Sequence, residues 1–319
     1  MSATIIRGVN SVRGMNSRAF ARAAMAIAIA GLLVAFAGEP ALARPVTVAD
    51  LLAGSPAQDW RVPDPDQTLY LDLKSGRVVI ELAPQVAPLH VANIKALARA
   101  HYFDGLAIVR VQDNYVVQWA DPDHRRPIPP GVHPVAAEFT AAKGAGARFQ
   151  PLPDKDLYAS EVGFLDGFPA GRDRHTDTVW LAHCYGVVGV GRDDPPESDG
   201  TEMYAVIGNA PRQLDRNVAL VGRVLKGMEL LSSLPRGSGD MGFYAGAEPV
   251  VPIVAMSIAA DLPAAERTPI EVLRTDSATF RAVLDQRRNR REDWFKFNPA
   301  HIDLCNVPLP TRALPAAAR

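Results

Sequence analysis

The chain has 319 residues, 48% hydrophobic and 22% charged, an ordinary globular composition long enough to bury a sizeable core. Its 34 basic and 35 acidic side chains nearly cancel, which excludes a global electrostatic pull toward nucleic acid. Seven scattered histidines without metal-ligand spacing, and two cysteines outside any C-x-x-C, give no reason to expect a metal site, a cofactor or thiol-redox chemistry.

The first segment is not core. Arg7, Arg13, Arg18 and Arg22 lead into the uncharged run Ala23 to Gly38, which is followed by Ala41-Leu42-Ala43. A basic start, a short apolar run and an A-x-A end describe a cleavable secretory signal over residues 1–43, cut after Ala43, and so a periplasmic protein. The 16-residue run is shorter than the ~20 residues of a spanning helix. No stable membrane span is therefore expected after cleavage; an uncleaved anchor is the alternative. Either Met1 or Met15 can serve as the start. Residues 1–43 hold four arginines and one glutamate, so cleavage takes the formal charge from −1 to −4. In an oxidising compartment Cys184 and Cys305 can pair; equally, one can be a buried thiol and the other lie in a tail.

Residues 44–66, rich in Pro, Asp and Ala, read as a lead-in segment. Alternation begins at Gln67: Leu69, Leu71 and Leu73, a Lys74-Ser75-Gly76 turn, then Arg77 to Leu82, together a hairpin. Pro88 opens a helix with Val91, Ile94, Leu97 and Ala98 on one face. A strand pair over Leu106 to Val111 and Tyr115 to Trp119 follows. Residues 121–175, full of Pro, Gly and Ala, read as a long loop-rich stretch. Strands resume at Thr178 to His183, Tyr185 to Val190, Glu202 to Ile207 and Ala219 to Val224. A short helix at Lys226 to Leu234 and a last strand at Val251 to Ala259 complete the set. Many short strands with two helices predict a mainly β fold, a closed antiparallel barrel capped by the two helices. Residues 263–319 form a partly helical C-terminal extension, with Asp276 or Ser277 as a helix cap and Phe280, Val283 and Leu284 on its stripe. Its basic tract Arg287-Arg288-Asn289-Arg290-Arg291 reads as a solvated helix end.

The order of local motifs carries the functional reading. Tyr102-Phe103-Asp104-Gly105, Val109-Arg110-Val111 and Asn114-Tyr115-Val116-Val117-Gln118 are followed by Gly186-Val187-Val188-Gly189-Val190-Gly191. Then come Gly200-Thr201-Glu202-Met203-Tyr204, Leu214-Asp215, Val221-Gly222-Arg223-Val224 and Gly227-Met228-Glu229. This ordered set resembles the cyclophilin family, over a domain at residues 67–262. The glycines at 186, 189 and 191 lack the order of a nucleotide-binding loop.

The resemblance implies a monomeric peptidyl-prolyl cis-trans isomerase acting on proline-containing polypeptides and assisting the folding of exported proteins. It also implies site residues. Arg110 and Gln118 would be catalytic. Tyr115, Val116, Gly191, Arg192, Glu202, Tyr204, Gln213, Leu214 and Val218 would bind substrate. An isomerase of this kind needs no base, so His183 reads as structural. Taken alone, Arg110 reads rather as a barrel arginine paired with Asp113 or Glu202, and the surrounding motif is what reverses that reading.

Several positions depart from the family pattern. Val116 stands where a larger apolar residue is usual, Glu202 replaces a glutamine and Arg192 an asparagine. Gln213 stands where many members carry tryptophan, and Val218 replaces a histidine or tyrosine. Trp119 and Ala120 replace a small glycine pair beside the site. The alternative implied by these changes is a catalytically weak peptide-binding or scaffold module on the same fold.

Overall fold

The computed structural model describes residues 46–315 apart from positions 124, 142, 143, 247 and 249, so the predicted signal segment lies outside the described residues. In chain order the elements begin with α1 (Val48–Ala53), β1 (Trp60–Arg61), the hairpin β2 (Thr68–Leu73) and β3 (Gly76–Leu82), and α2 (Pro88–Arg99). Next come β4 (Ala107–Val111), β5 (Val116–Ala120), β6 (Phe149–Pro151), β7 (Glu161–Leu165), β8 (Phe168–Asp173) and β9 (Thr178–Leu181). The chain continues through β10 (Val187–Val190), β11 (Met203–Val206), β12 (Leu220–Lys226), α3 (Met228–Ser232) and β13 (Val251–Ile258). It ends with β14 (Ile270–Leu273), α4 (Ala278–Arg288) and β15 (Thr311–Ala313).

Eight strands close into an antiparallel barrel in the order β10-β11-β5-β4-β13-β2-β3-β12. Closure leaves no unpaired strand edge. The alternating residues Leu69, Leu71 and Leu73 meet Val78, Ile80 and Leu82 in the interior. The two expected helices bury into that same cluster, α2 through Val91, Ile94 and Leu97, and α3 through Leu231. Ala87 supplies no side-chain cap to α2. The Glu138 carboxylate does so from a distance, accepting from the Leu89 and His90 backbone N–H groups at 3.0 and 2.9 Å.

Two expectations are corrected. Residues 121–175 are not merely loop: β6, β7 and β8 lie within them and join β9 in a separate four-stranded sheet. Glycine and proline inside these strands conceal them from propensity-based reading. Gly163 shows why such a residue is needed, since a Cβ there would meet the Gln150 carbonyl oxygen at 2.0 Å. The strand beginning at Thr178 belongs to this second sheet and not to the barrel.

The lead-in and the extension form one small structure. β14 stands between β1 and β15 in a three-stranded sheet, and α1 packs on α4. Ser277, one of the two proposed caps, accepts from the Phe280 N–H at 3.0 Å. Cys184, in the β9–β10 connection, is disulfide-bonded to Cys305 of the extension. Among the described residues no helix is long and apolar enough to cross a membrane.

Candidate active site

Strict alternation would place Ile108 and Arg110 on the same face of β4. The register between β4 and β5 shifts between them: Ile108 pairs with Trp119, but Arg110 pairs with Gln118. Directly paired residues on antiparallel strands share a face. Ile108 and Trp119 are both buried inside the barrel, so Arg110 and Gln118 face outward. The extra residue, Val109, is a bulge that re-aims the arginine. Its carbonyl is not left unpaired: it accepts from the Tyr244 N–H at 3.0 Å.

The outward row continues across the barrel wall. Gln118 pairs with Tyr204, and Tyr204 pairs with Gly189. Arg110, Gln118, Tyr204 and Gly189 therefore stand side by side on four consecutive strands. A cavity of about 840 Å³ opens over this row. Arg110, Tyr115, Val116, Gln118, Gly191, Arg192, Glu202, Tyr204, Leu214 and Val218 all line it.

Gln213 does not line this cavity. It sits on the short turn Arg212–Leu214, where Leu214 lines the cavity and the preceding side chain is exposed. Trp119 is also not beside the site, because the bulge leaves it paired with Ile108 inside the barrel. Five lining residues were not anticipated: Asp193, Asp194 and Pro195, which follow Arg192 directly, and Met241 and Phe243, from the segment between α3 and β13. That segment carries only turn signals in its sequence. Its position is fixed by tertiary hydrogen bonds, including Gly237 N–H to the Val111 carbonyl at 3.1 Å.

Arg110 is held by neutral groups. Its Nε donates to the Met241 carbonyl at 2.7 Å. Its other nitrogens donate to the side-chain oxygens of Gln112 and, at 3.4 Å, of Gln118. The guanidinium lies over the Phe243 and Tyr115 rings, 5.2 and 5.4 Å from their centroids. The two carboxylates considered as partners have other ties: Asp113 pairs with Arg236 at 2.9 Å, and Glu202 accepts from Gln118 Nε2 at 3.0 Å. Gln118 thus links Arg110 to Glu202, accepting from one and donating to the other. Burial pulls the Arg110 pKa below its usual value, with Tyr115 opposing. An arginine so shifted is still a cation at neutral pH.

The remaining lining divides into a polar rim and an apolar wall. Arg192 folds back on its own loop, donating to the carbonyls of Asp193 and Asp194 at 2.6 and 3.1 Å, and reaches the Asn217 carbonyl ahead of β12 at 2.8 Å. Val116, Tyr204, Leu214 and Val218 form the apolar side. The Tyr204 hydroxyl lies 2.9 Å from Nε2 of His183, a fully buried residue. Burial pushes the Tyr204 pKa up, reinforced by Tyr115 and Asp215. A cationic fork beside an apolar recess suits a substrate with a carbonyl or amide group next to a compact apolar ring.

The family model described as cyclophilin type peptidyl-prolyl cis-trans isomerase matches residues 68–258. The chain belongs to the cyclophilin family. As a cyclophilin it is a peptidyl-prolyl cis-trans isomerase, whose substrates are proline-containing polypeptides. It is 28% identical over 175 residues to a probable peptidyl-prolyl cis-trans isomerase of Brucella suis, covering 55% of this chain and 74% of that one. A peptidyl-prolyl cis-trans isomerase of Arabidopsis thaliana is 28% identical over 168 residues, covering 53% and 58% of the two chains. Among solved structures, a cyclophilin from Hirschia baltica superposes with a TM-score of 0.66 at 26% identity, covering 84% of this chain and 98% of that one. That overlap is wider than residues 68–258, so it takes in part of the segments flanking the barrel.

Proposed function

We propose that this cyclophilin isomerises X-Pro bonds in exported polypeptides as they fold, with Arg110 as its catalytic residue. An amide resists rotation through resonance, and uncatalysed X-Pro bonds turn over in tens to hundreds of seconds. As the bond twists, the prolyl nitrogen regains a lone pair and becomes a better acceptor. A guanidinium aimed there stabilises the twisted state more than the planar one. Arginine suits the task because it is always protonated and presents donors in a rigid fork. Gln118 orients that fork, and Tyr115, Val116, Tyr204 and Leu214 receive the proline ring. Their apolar surface keeps water from competing for the guanidinium.

The observation that carries this reading is the row Arg110–Gln118–Tyr204–Gly189 beneath one open cavity. The Cys184–Cys305 bond supports an oxidising compartment, in keeping with the basic, apolar and A-x-A pattern of residues 1–43. The decisive experiment is the cis-to-trans rate of a short X-Pro peptide, measured with and without the purified protein. Acceleration over background is expected. A background rate would overturn the enzymatic reading.

One observation favours a slower enzyme that chiefly holds its peptide. The Glu202 carboxylate engages the Gln118 amide at 3.0 Å, where an acceptor-only group cannot donate to a substrate carbonyl. Tight peptide binding with an unaccelerated rate would select this second reading.

A further inference from the structure

The proline pocket has two apolar walls on successive elements: Tyr204 on β11, and Leu214 on the turn after it. Beneath them lies a polar network that the isomerisation chemistry does not use. His183 is fully buried. Its Nε2 lies 2.9 Å from the Tyr204 hydroxyl, and the two rings are within 7° of parallel. Its backbone N–H and its Nδ1 both meet Asp215 Oδ1 at 2.9 Å. The other Asp215 oxygen accepts from Arg212 Nε at 2.6 Å. Arg212 is clamped in turn by Asp156, at 3.0 and 3.2 Å. Arg212 and Asp215 flank Leu214 in sequence, so they hold the turn that presents it.

We propose that His183 is a positioning residue that locks the Tyr204 wall of the proline pocket to the Leu214 wall. The argument rests on the reading of this pocket as the proline site. The chemistry is directional. A carboxylate accepts only, so Asp215 takes the Nδ1–H of His183; in the neutral ring, Nε2 is then an acceptor for the Tyr204 hydroxyl. A phenylalanine at 204 would be placed by packing alone. Tyr204 is placed by a hydrogen bond reaching through His183 to Asp215 on the turn that presents Leu214, and Gly189 leaves the hydroxyl room, since a Cβ there would meet it at 2.3 Å. His183 touches no reacting atom. Its effect therefore falls on affinity for the proline ring rather than on rotation of the bound amide.

The test separates this role from a merely structural one by using two substitutions of similar polarity. His183→Asn can reach Asp215 from the Nδ1 position but not Tyr204; His183→Gln extends toward the Nε2 position and can reach Tyr204. With a proline-containing peptide, His183→Asn should weaken binding about fivefold, the worth of one net hydrogen bond, with kcat changed by less than about twofold. His183→Gln should recover most of the affinity. In a Tyr204→Phe background the two substitutions should become equivalent. A slowly exchanging Tyr204 hydroxyl proton should be visible by NMR in wild type and in His183→Gln, and absent in His183→Asn. Equal losses for Asn and Gln in both backgrounds would overturn the proposal. If the protein binds no proline peptide, the pocket assignment fails instead, while the hydroxyl resonance still reports whether His183 holds Tyr204.

Discussion

Gly189 faces Tyr204 across the β10–β11 ladder so closely that a methyl group on Gly189 would meet the phenolic oxygen at 2.3 Å. Both the ring and its hydroxyl occupy the space that a side chain at 189 would fill. Gly189→Ala should therefore push the ring off His183 and distort the pocket, weakening peptide affinity about tenfold and lowering stability by about 1–3 kcal/mol. Adding Tyr204→Phe removes the hydroxyl but leaves the ring carbons that a Cβ would meet at 2.4 and 2.7 Å, so it should recover only a small part of both losses. Isothermal titration and thermal melts of the single and double variants check this. Additive losses would contradict the steric account.

Arg110 supplies the only role in the mechanism that requires a cation. Arg110→Ala should lower kcat/KM by about 100-fold or more, as when a preorganised donor is removed elsewhere. The half-buried site should tolerate the change, leaving the melting transition within a few degrees of wild type. Arg110→Lys retains the charge but loses the fork, and should recover little. Full activity in either variant, measured on a short X-Pro peptide, would remove Arg110 from the mechanism.

Glu202 stands where the cyclophilin pattern has a glutamine, and an acceptor-only group there cannot donate to a substrate carbonyl. Glu202→Gln keeps the size and supplies a donor. It should raise kcat/KM several-fold by offering an N–H to the peptide, while its side-chain oxygen can still accept from Gln118. The same peptide assay decides, and a fall in activity would show that the carboxylate is needed.

The Cys184–Cys305 bond spans 121 residues and joins the extension to the barrel side of the molecule. Removing a cross-link over so long a loop costs about 2–5 kcal/mol. Cys305→Ser should thus lower the melting temperature by roughly 5–10 °C, and a reducing agent should do the same to wild type but nothing further to the variant. An unchanged melt in both would argue that the bond adds no stability.

Acid should loosen the same region from another direction. Burial alone would raise the Asp215 pKa, yet hydrogen bonds from His183 and the charge of Arg212 outweigh it and leave it lowered. A carboxylate whose folded pKa is depressed stabilises the fold above its unfolded pKa, near 3.9. That contribution is lost as pH falls from there through the lowered folded value. The stability gap between wild type and Asp215→Asn should therefore be widest near neutral pH and narrow below about pH 4. A gap independent of pH would show that Asp215 acts by shape alone.

The barrel was legible because its inner residues obey a local rule. Leu69, Leu71, Leu73, Val78, Ile80 and Leu82 alternate along their strands, and alternation is imposed by the backbone itself. The segment over 149–173 escaped because its strands carry glycine and proline for reasons of close contact, visible only when the partner strand is present. Gly163 against Gln150 is one such contact. The site divides in the same way. The motif order around Arg110, Tyr115 and Gln118 pointed to their neighbourhood. Nothing local marked Met241 or Phe243, which reach the cavity through bonds to residues more than a hundred positions away.

The sequence by itself determined most of the strands of the barrel wall, though it could not separate the strand at Thr178 from them, and which residue types are available near Arg110. Only the tertiary structure decided which way Arg110 faces. By alternation it would share the face of Ile108, inside the barrel. A bulge at Val109, closed by the hydrogen bond from Tyr244, turns it outward onto the row with Gln118, Tyr204 and Gly189. A bulge is a mismatch between two strands, so it exists only in their pairing.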